Sequence, residues 1–149
     1  MSDALRRRLA AALLILGAAV AGLAIADVGP FSDPPTEEQR VADVVERFFG
    51  AASDGDSATF CRLLTSDARQ ALQVETAQRL HIDKEPKCER ILDALGGIFE
   101  GSQVSVRYVS VSGNRARVEA RYNLAGAGAE PRTVLLFEER GEWRVSDPG

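Results

Sequence analysis

The sequence predicts an α+β domain in which helices come first and an antiparallel sheet follows, behind an uncharged amino-terminal run. Apolar residues recur every three or four positions between residues 36 and 99, which is the period of an amphipathic helix. After residue 101 they recur at every second position, the period of a strand with one buried face. Helices that precede an antiparallel meander are typical of the α+β class.

The amino terminus, residues 1–26, has the charge pattern of an export signal or a membrane anchor. Arginines fill positions 6–8, and residues 9–26 carry no charge. A basic region before an apolar run is typical of a signal peptide, and the Ala-Ile-Ala triplet at 24–26 fits a cleavage site. A helix over residues 9–26 would span about 27 Å, close to the ~30 Å of a bilayer's hydrocarbon core.

Both interpretations place the rest of the chain outside the cytoplasm. Arginines flanking a membrane span stay on the cytoplasmic side, so the residues that follow are translocated. We predict a single-pass protein anchored in the cell membrane through residues 9–26, with its carboxyl-terminal domain outside. The alternative is a protein secreted after cleavage behind Ala26.

The translocated part consists of a short spacer and one domain. Residues 27–35 contain three prolines and one glycine, which is the composition of a stiff linker. Residues 36–149 then form a single domain, long enough to bury one core. Residues 27–149 carry a formal charge of −6. An acidic domain repels phosphate backbones, so we expect no nucleic acid partner.

Four helices are predicted before the sheet. The first begins at a capping box, Thr36 and Gln39, and ends near Ser53. A short second helix begins at residue 56 or 57, a third at residue 65, and a fourth covers about 87–99. The apolar stripe of the first helix is Val41, Val44, Val45, Phe48, Phe49 and Ala52. The second helix carries Phe60, Cys61, Leu63 and Leu64. In the third and fourth helices the inward residues are Ala68, Leu72, Leu80, Cys88, Ile91, Leu92, Leu95 and Ile98.

Four strands are predicted to follow. In the first, the alternation of Val104, Val106 and Tyr108 slips to Val109, which indicates a β-bulge or a strand covered on both faces. The second strand alternates most regularly, and its inward residues are Ala116, Val118, Ala120, Tyr122 and Leu124. The third strand covers residues 132–139, and the fourth contains residues 143–145.

The two cysteines, Cys61 and Cys88, favour a disulfide over a metal site. They lie 27 residues apart in the translocated part, where disulfides persist, and do not form a CxxC pair. Two separately buried thiols are the alternative. The chain has one histidine and no glycine-rich loop between a strand and a helix. We therefore expect neither a metal ion nor another cofactor.

Several short segments resemble the NTF2-like superfamily, in its SnoaL-like, small bacterial exported branch. They are Ala-Ala-Ser-Asp-Gly-Asp at 51–56, Phe-Cys-Arg-Leu-Leu at 60–64, Ser-Asp-Ala at 66–68, Val-Leu-Leu-Phe at 134–137 and Gly-Glu-Trp-Arg-Val at 141–145. The resemblance covers residues 37–147. It implies a curved antiparallel sheet wrapped against helices into a cone with an apolar pocket. Members include isomerases, dehydratases, ligand-binding proteins and adaptor domains.

Within such a cone we place eight residues at the pocket wall as a hypothesis. They are Val41, Val45, Phe48, Phe49, Tyr108, Ala120, Tyr122 and Trp143. The inward set of the second strand holds no acid or histidine, and His81, the one histidine, lies in a polar turn after the third helix. We assign no catalytic residue on this evidence, because an enzyme pocket would need a carboxyl or imidazole among these positions.

The predicted function is therefore a non-catalytic extracytoplasmic domain that binds a small apolar ligand or a protein of the cell envelope. One alternative is a pocket enzyme of isomerase, dehydratase or hydrolase type that uses His81 or Tyr108. Another is an accessory ectodomain with a purely structural role. The sequence leaves the oligomeric state open.

We expect the chain to direct its own export, because residues 6–26 combine the basic and apolar regions that a signal or anchor requires. A reporter that is active only outside the cytoplasm should be active when fused after Asp33. A cytoplasmic reporter at the same junction serves as the control and should be silent; the reverse result rules out export. Sequencing the mature amino terminus separates the two forms, since a start at Asp27 identifies the secreted one.

Overall fold

The computed structural model describes residues 33–95, 97, 99–123 and 129–149. The apolar run at 9–26, the predicted core residues Ile98 and Leu124, and the spacer up to residue 32 lie outside these ranges. Within the described ranges no helix is long and apolar enough to cross a membrane. One compact unit runs from Pro35 to Gly149.

Helices precede strands along the chain, which confirms the α+β class. The helical part consists of α1 (Glu37–Asp54), α2 (Ser57–Leu63), α3 (Ser66–Leu80), a 3₁₀ turn (Cys88–Arg90) and α4 (Ile91–Ala94). The strands are β1 (Gln103–Ser112), β2 (Arg115–Asn123), β3 (Glu130–Glu139) and β4 (Glu142–Asp147). They form one antiparallel sheet in the order β1-β2-β3-β4, so each strand pairs with its neighbours in sequence.

The capping box at the start of α1 is present as predicted. Thr36 Oγ1 accepts a hydrogen bond from the backbone N–H of Gln39, at 3.2 Å. The Gln39 side chain in turn accepts from the backbone N–H of Thr36, at 2.8 Å. The helix ends where Gly55 takes a left-handed conformation, with φ of 71°, which a residue with a Cβ adopts at a cost.

The core lies between α1 and the inner face of the sheet. Val41 and Val45 of α1 are fully buried there, as are Val118 and Val134 at the centre of the sheet. Burial of an aliphatic side chain of this kind stabilises the fold by roughly 1.5–3 kcal/mol. The inner residues of β2 alternate with exposed ones along its whole length. This alternation fixes the register, since a shift by one residue would turn the apolar set to solvent.

The β-bulge in β1 decides which face its aromatic residue takes. Val106 pairs with the buried Ala120, but Tyr108 pairs with the exposed Glu119, because the register shifts between them. The extra residue turns Tyr108 outward, and its side chain is 59% exposed. The placement of Tyr108 at the pocket wall is therefore wrong.

The third and fourth helices differ from the prediction. Leu80, expected to be buried, is the last residue of α3 and is 46% exposed. Thr76 and Ala77, one turn earlier, are buried in its place. Thr76 tolerates burial because its hydroxyl donates to the Leu72 carbonyl oxygen at 2.7 Å. The fourth helix is reduced to the 3₁₀ turn and α4, and after it Gly97 takes a left-handed φ of 73°.

The predicted disulfide joins Cys61 and Cys88, with their α-carbons 6.0 Å apart. Both residues are buried. The bond ties α2 to the 3₁₀ turn, on either side of α3. A second contact across the same region is the hydrogen bond from Gln73 Nε2 to the Pro86 carbonyl oxygen, at 2.9 Å.

We expect the disulfide to be a main stabiliser of the helical part. The two cysteines lie 27 residues apart, and closing a loop of this size is worth about 3–4 kcal/mol in the chain-entropy model. Urea unfolding of the oxidised protein and of the Cys61→Ala, Cys88→Ala double variant should show that loss as a lower midpoint. The reduced, alkylated wild type is the control and should behave like the variant. Equal midpoints for all three would mean that the bond carries little stability.

Candidate functional site

A cavity of about 370 Å³ lies between the helices and one end of the sheet. Its wall is contributed by α1, α2, α3, the segment after α4, and the ends of β2, β3 and β4. Most of the lining is apolar. The residues are Phe48, Phe49, Ala52, Phe60, Leu64, Ala68, Ala71, Leu72, Glu75, Leu95, Phe99, Tyr122, Arg132, Ser146, Asp147, Pro148 and Gly149.

Five aromatic rings pack against one another in this wall. The rings of Phe48 and Phe60 stack at 4.7 Å between centroids, and Phe48 meets Phe49 edge-on at 5.2 Å. Tyr122 joins the group from β2, 4.5 Å from Phe49 and 6.5 Å from Phe99. Aromatic pairs in such geometries add about 0.5–1.5 kcal/mol each to the effect of area burial. The cluster therefore forms a well-packed apolar surface on one side of the cavity.

Charged side chains in the lining are mostly held by partners. Glu75 Oε1 accepts from Arg79 Nη2 at 2.7 Å, within α3. Arg132 lies 3.6 Å from a Glu130 carboxylate oxygen and also donates to the Gly149 carbonyl oxygen at 3.2 Å. Asp147 Oδ1 accepts a hydrogen bond from the backbone N–H of Gly149 at 3.0 Å. Among the described residues, Asp147 has no basic side chain within ion-pair distance.

The Tyr122 hydroxyl is a buried polar group without a hydrogen-bond partner among the described residues. Burial raises the pKa of Tyr122 above the usual value of 10.0, although Ser102 and Arg132 each act in the opposite direction. The Ser102 hydroxyl lies near enough to act on the phenol, but its own proton is donated to the Phe99 carbonyl oxygen. An unsatisfied buried hydroxyl costs about 1–3 kcal/mol.

The structure brings together three of the eight residues placed at the pocket wall, namely Phe48, Phe49 and Tyr122. Val41, Val45 and Ala120 are buried in the core between α1 and the sheet and do not line the cavity. Tyr108 lies on the outer face of the sheet, as described above.

Trp143, the last of the eight, lines a different depression. This second cavity has a volume of about 300 Å³ and is bordered by Arg40, Arg47, Arg62 and Arg144. Trp143 is buried, and its Nε1 donates to Glu37 Oε2 at 2.9 Å. The arginines are partly neutralised, since Arg40 pairs with Glu37, and Arg144 with Glu142 at 3.0 Å.

Several lining residues were not identified from the sequence. Phe60 lies within the predicted second helix but is not among the eight residues placed at the pocket wall, because the spacing of a short helix does not reveal what it faces. Arg132 and residues 146–149 reach the cavity through the pairing of β3 with β2 and β4, which is a non-local arrangement. Arg132 lies two residues before the buried Val134 in β3, so the alternation of that strand places it on the inner face. Its pairing with the buried Ala120 agrees with this placement.

His81 lies away from this cavity. It ends α3 in a left-handed conformation with φ of 53°, and its side chain is exposed. It borders a shallow depression at the end of α3 together with Ile82 and Asp83. Neither His81 nor Tyr108 therefore faces the aromatic cluster.

No protein-family model matches the chain, and no curated protein matches it. Among solved structures, the chain is similar to an NTF2-like protein of unknown function from Cytophaga hutchinsonii, with 14% sequence identity and a TM-score of 0.43. The match covers 78% of this chain and 94% of that chain. Helices packed on an antiparallel sheet, with an apolar cavity between them, agree with the fold that the NTF2-like resemblance implies.

We expect the burial of Tyr122 to appear as a loss of stability at alkaline pH. Above about pH 10 the unfolded chain ionises this phenol, while the folded chain retains the proton because its pKa is raised. The unfolded state then binds fewer protons, so the free energy of unfolding falls as pH rises. The Tyr122→Phe variant should lose less stability than the wild type between about pH 9 and about pH 11.

Urea unfolding across this pH range measures the effect. Tyr108→Phe is the matched control, because its ring is largely exposed. Equal pH slopes for the wild type and both variants would contradict the assignment to Tyr122.

Proposed function

We propose that this protein is a non-catalytic, extracytoplasmic domain that binds a small apolar ligand in the aromatic-lined cavity. The observation that carries the proposal is the cavity itself, about 370 Å³ in volume and walled by five aromatic rings. Sites for small molecules commonly have volumes of about 300–1,000 Å³, with apolar walls and a few polar groups.

The composition of the wall supports binding over catalysis. The buried groups that face the cavity are aromatic and aliphatic, and the ionised side chains in its lining are Glu75, Arg132 and Asp147. Glu75 and Arg132 are already engaged with partners on the protein. General acid–base chemistry needs a titratable group within hydrogen-bond reach of a reacting atom. The side chains that act on the Tyr122 hydroxyl are Ser102 and Arg132, and neither is a carboxyl or an imidazole.

Two observations support a location outside the cytoplasm. Residues 6–26 have the charge pattern of an anchor or signal. The Cys61–Cys88 disulfide belongs to a type of bond that persists in oxidising compartments and is rare in the cytosol. A tethered domain would present its cavity to compounds in the envelope or in the medium.

A protein of the cell envelope is the second candidate partner, and it would use the opposite side of the sheet. The outer face exposes Tyr108 and Leu135, which are 59% and 38% exposed. On the same face, Phe137 lies two residues after Leu135 in β3, under the Arg115 guanidinium, whose carbon is 5.2 Å from the ring centroid. Apolar and aromatic groups on an open sheet face are suited to protein contact.

The ligand-binding proposal predicts uptake of a neutral fluorescent probe, N-phenyl-naphthylamine, whose emission rises in apolar surroundings. The Ala68→Phe variant should weaken its binding at least about tenfold, or about 1.4 kcal/mol, because the new ring occupies the cavity from α3. Fluorescence titration of the wild type and the variant measures both dissociation constants.

Gln70→Phe is the matched control, since it adds the same ring to an exposed position of α3 outside the cavity lining. This variant should bind the probe like the wild type. Circular dichroism and urea midpoints verify that both variants fold. The proposal fails if the wild type does not bind the probe, or if the folded Ala68→Phe variant binds it as tightly as the wild type.

A further inference from the structure

We infer that the cavity selects aromatic ligands that carry a protonated amine, with the rings against the phenylalanines and the ammonium group beside Asp147. The inference rests on the proposed function, because it names the class of ligand for the same cavity. It depends on two features, the charge that remains unpaired in the lining and the aromatic character of the wall.

The charge balance of the lining leaves one carboxylate uncompensated. Glu75 is neutralised by Arg79, and Arg132 by Glu130, so these pairs contribute little net charge. Asp147 has a hydrogen bond from the backbone N–H of Gly149, which orients the carboxylate without neutralising it. Residues 124–128, which connect β2 to β3, contain no charged side chain. The side chains of the lining therefore carry a net charge of about −1 among the described residues.

The positive charge of Arg132 does not make the cavity favour anions over cations. Its Nη2 faces Glu130 at 3.6 Å, and its Nη1 donates to the Gly149 carbonyl oxygen at 3.2 Å. An anionic ligand would have to compete with Glu130 for the guanidinium while it approached the Asp147 carboxylate. A cationic ligand meets Asp147 directly and leaves the Arg132 contacts intact.

The aromatic wall and the negative charge of the whole domain both favour cationic ligands. Ring faces attract cations that lie within about 6 Å of a ring centroid, so an aromatic wall favours a cationic ligand over an anionic one. The formal charge of −6 over residues 27–149 also raises the local concentration of cations. A neutral ligand gains only from burial of its apolar surface, and an anion loses part of that gain.

Three compounds with one ring system and different charges test the inference: naphthylethylamine, naphthaleneacetic acid and ethylnaphthalene. Each is titrated against the protein loaded with N-phenyl-naphthylamine, and displacement gives its affinity. At low ionic strength the amine should bind about tenfold more tightly than the acid, with the neutral compound between them. The ratio should shrink towards one at about 1 M salt, where charges at the cavity mouth are screened.

The Asp147→Asn variant tests whether the preference for the amine over the acid comes from the Asp147 carboxylate. The amide oxygen can still accept from the Gly149 N–H, so the shape of the site is kept while its charge is removed. We expect the ratio of amine to acid affinity to fall from about tenfold to about twofold or less. Asp83→Asn is the matched control, because it removes the same charge from a residue outside this cavity. Its ratio should equal that of the wild type.

The possible results overturn different claims: the charge preference, the role of Asp147 or the proposed function. Equal affinities for amine and acid, or a preference for the acid, overturn the inference while probe binding leaves the proposed function standing. A preference that survives in Asp147→Asn overturns the role of Asp147, because the domain's overall charge would then suffice. If the fluorescent probe does not bind the wild type at all, the proposed function fails first and the inference fails with it.

Discussion

The burial of one face of α1 against the inner face of the sheet is the contact on which the rest of the domain depends. The first half of this face, around Val41 and Val45, is fully enclosed and holds the helix on the strands. The second half carries Phe48 and Phe49, which belong to the same buried core and also form a wall of the cavity. The same helix thus provides both the stability of the fold and the surface of the site. The hydrogen bond between Trp143 and Glu37 links the start of α1 to β4.

The wall of the cavity that α3 contributes has fewer buried residues than the wall that α1 contributes. In α3 only Thr76 and Ala77 are buried, and one of the two is polar. The disulfide at Cys61 and Cys88 and the side-chain bond from Gln73 to Pro86 hold the segments around this helix. Regions with few buried apolar contacts open at a lower free energy than the core of the same protein. We therefore expect the α3 side of the cavity to open at a lower free energy than the packing of α1 on the sheet.

The tyrosines of β1 and β2 have opposite roles. Tyr122 of β2 faces inward and joins the cavity wall, whereas Tyr108 of β1 faces outward onto the open side of the sheet. The bulge between Val106 and Tyr108 produces the difference, because one additional residue reverses the alternation of side chains. The bulge thereby separates an apolar interior surface from an aromatic exterior one. It also lets β1 keep Val109 and Val111 packed against the core.

Local sequence determined the order of the elements, the capping box of α1, the alternation in β2 and the sulfur atoms available for one disulfide. These features depend on neighbouring residues and on period, which a single chain displays directly. Only the tertiary structure decided that Phe60 stacks on Phe48, that Arg132 and Asp147 reach the cavity, and that Val41, Val45 and Ala120 lie behind it. These contacts join residues far apart in the chain, and their geometry follows from strand pairing and helix packing. Periodicity shows which face of an element is apolar, but it contains no information about the surface that this face meets.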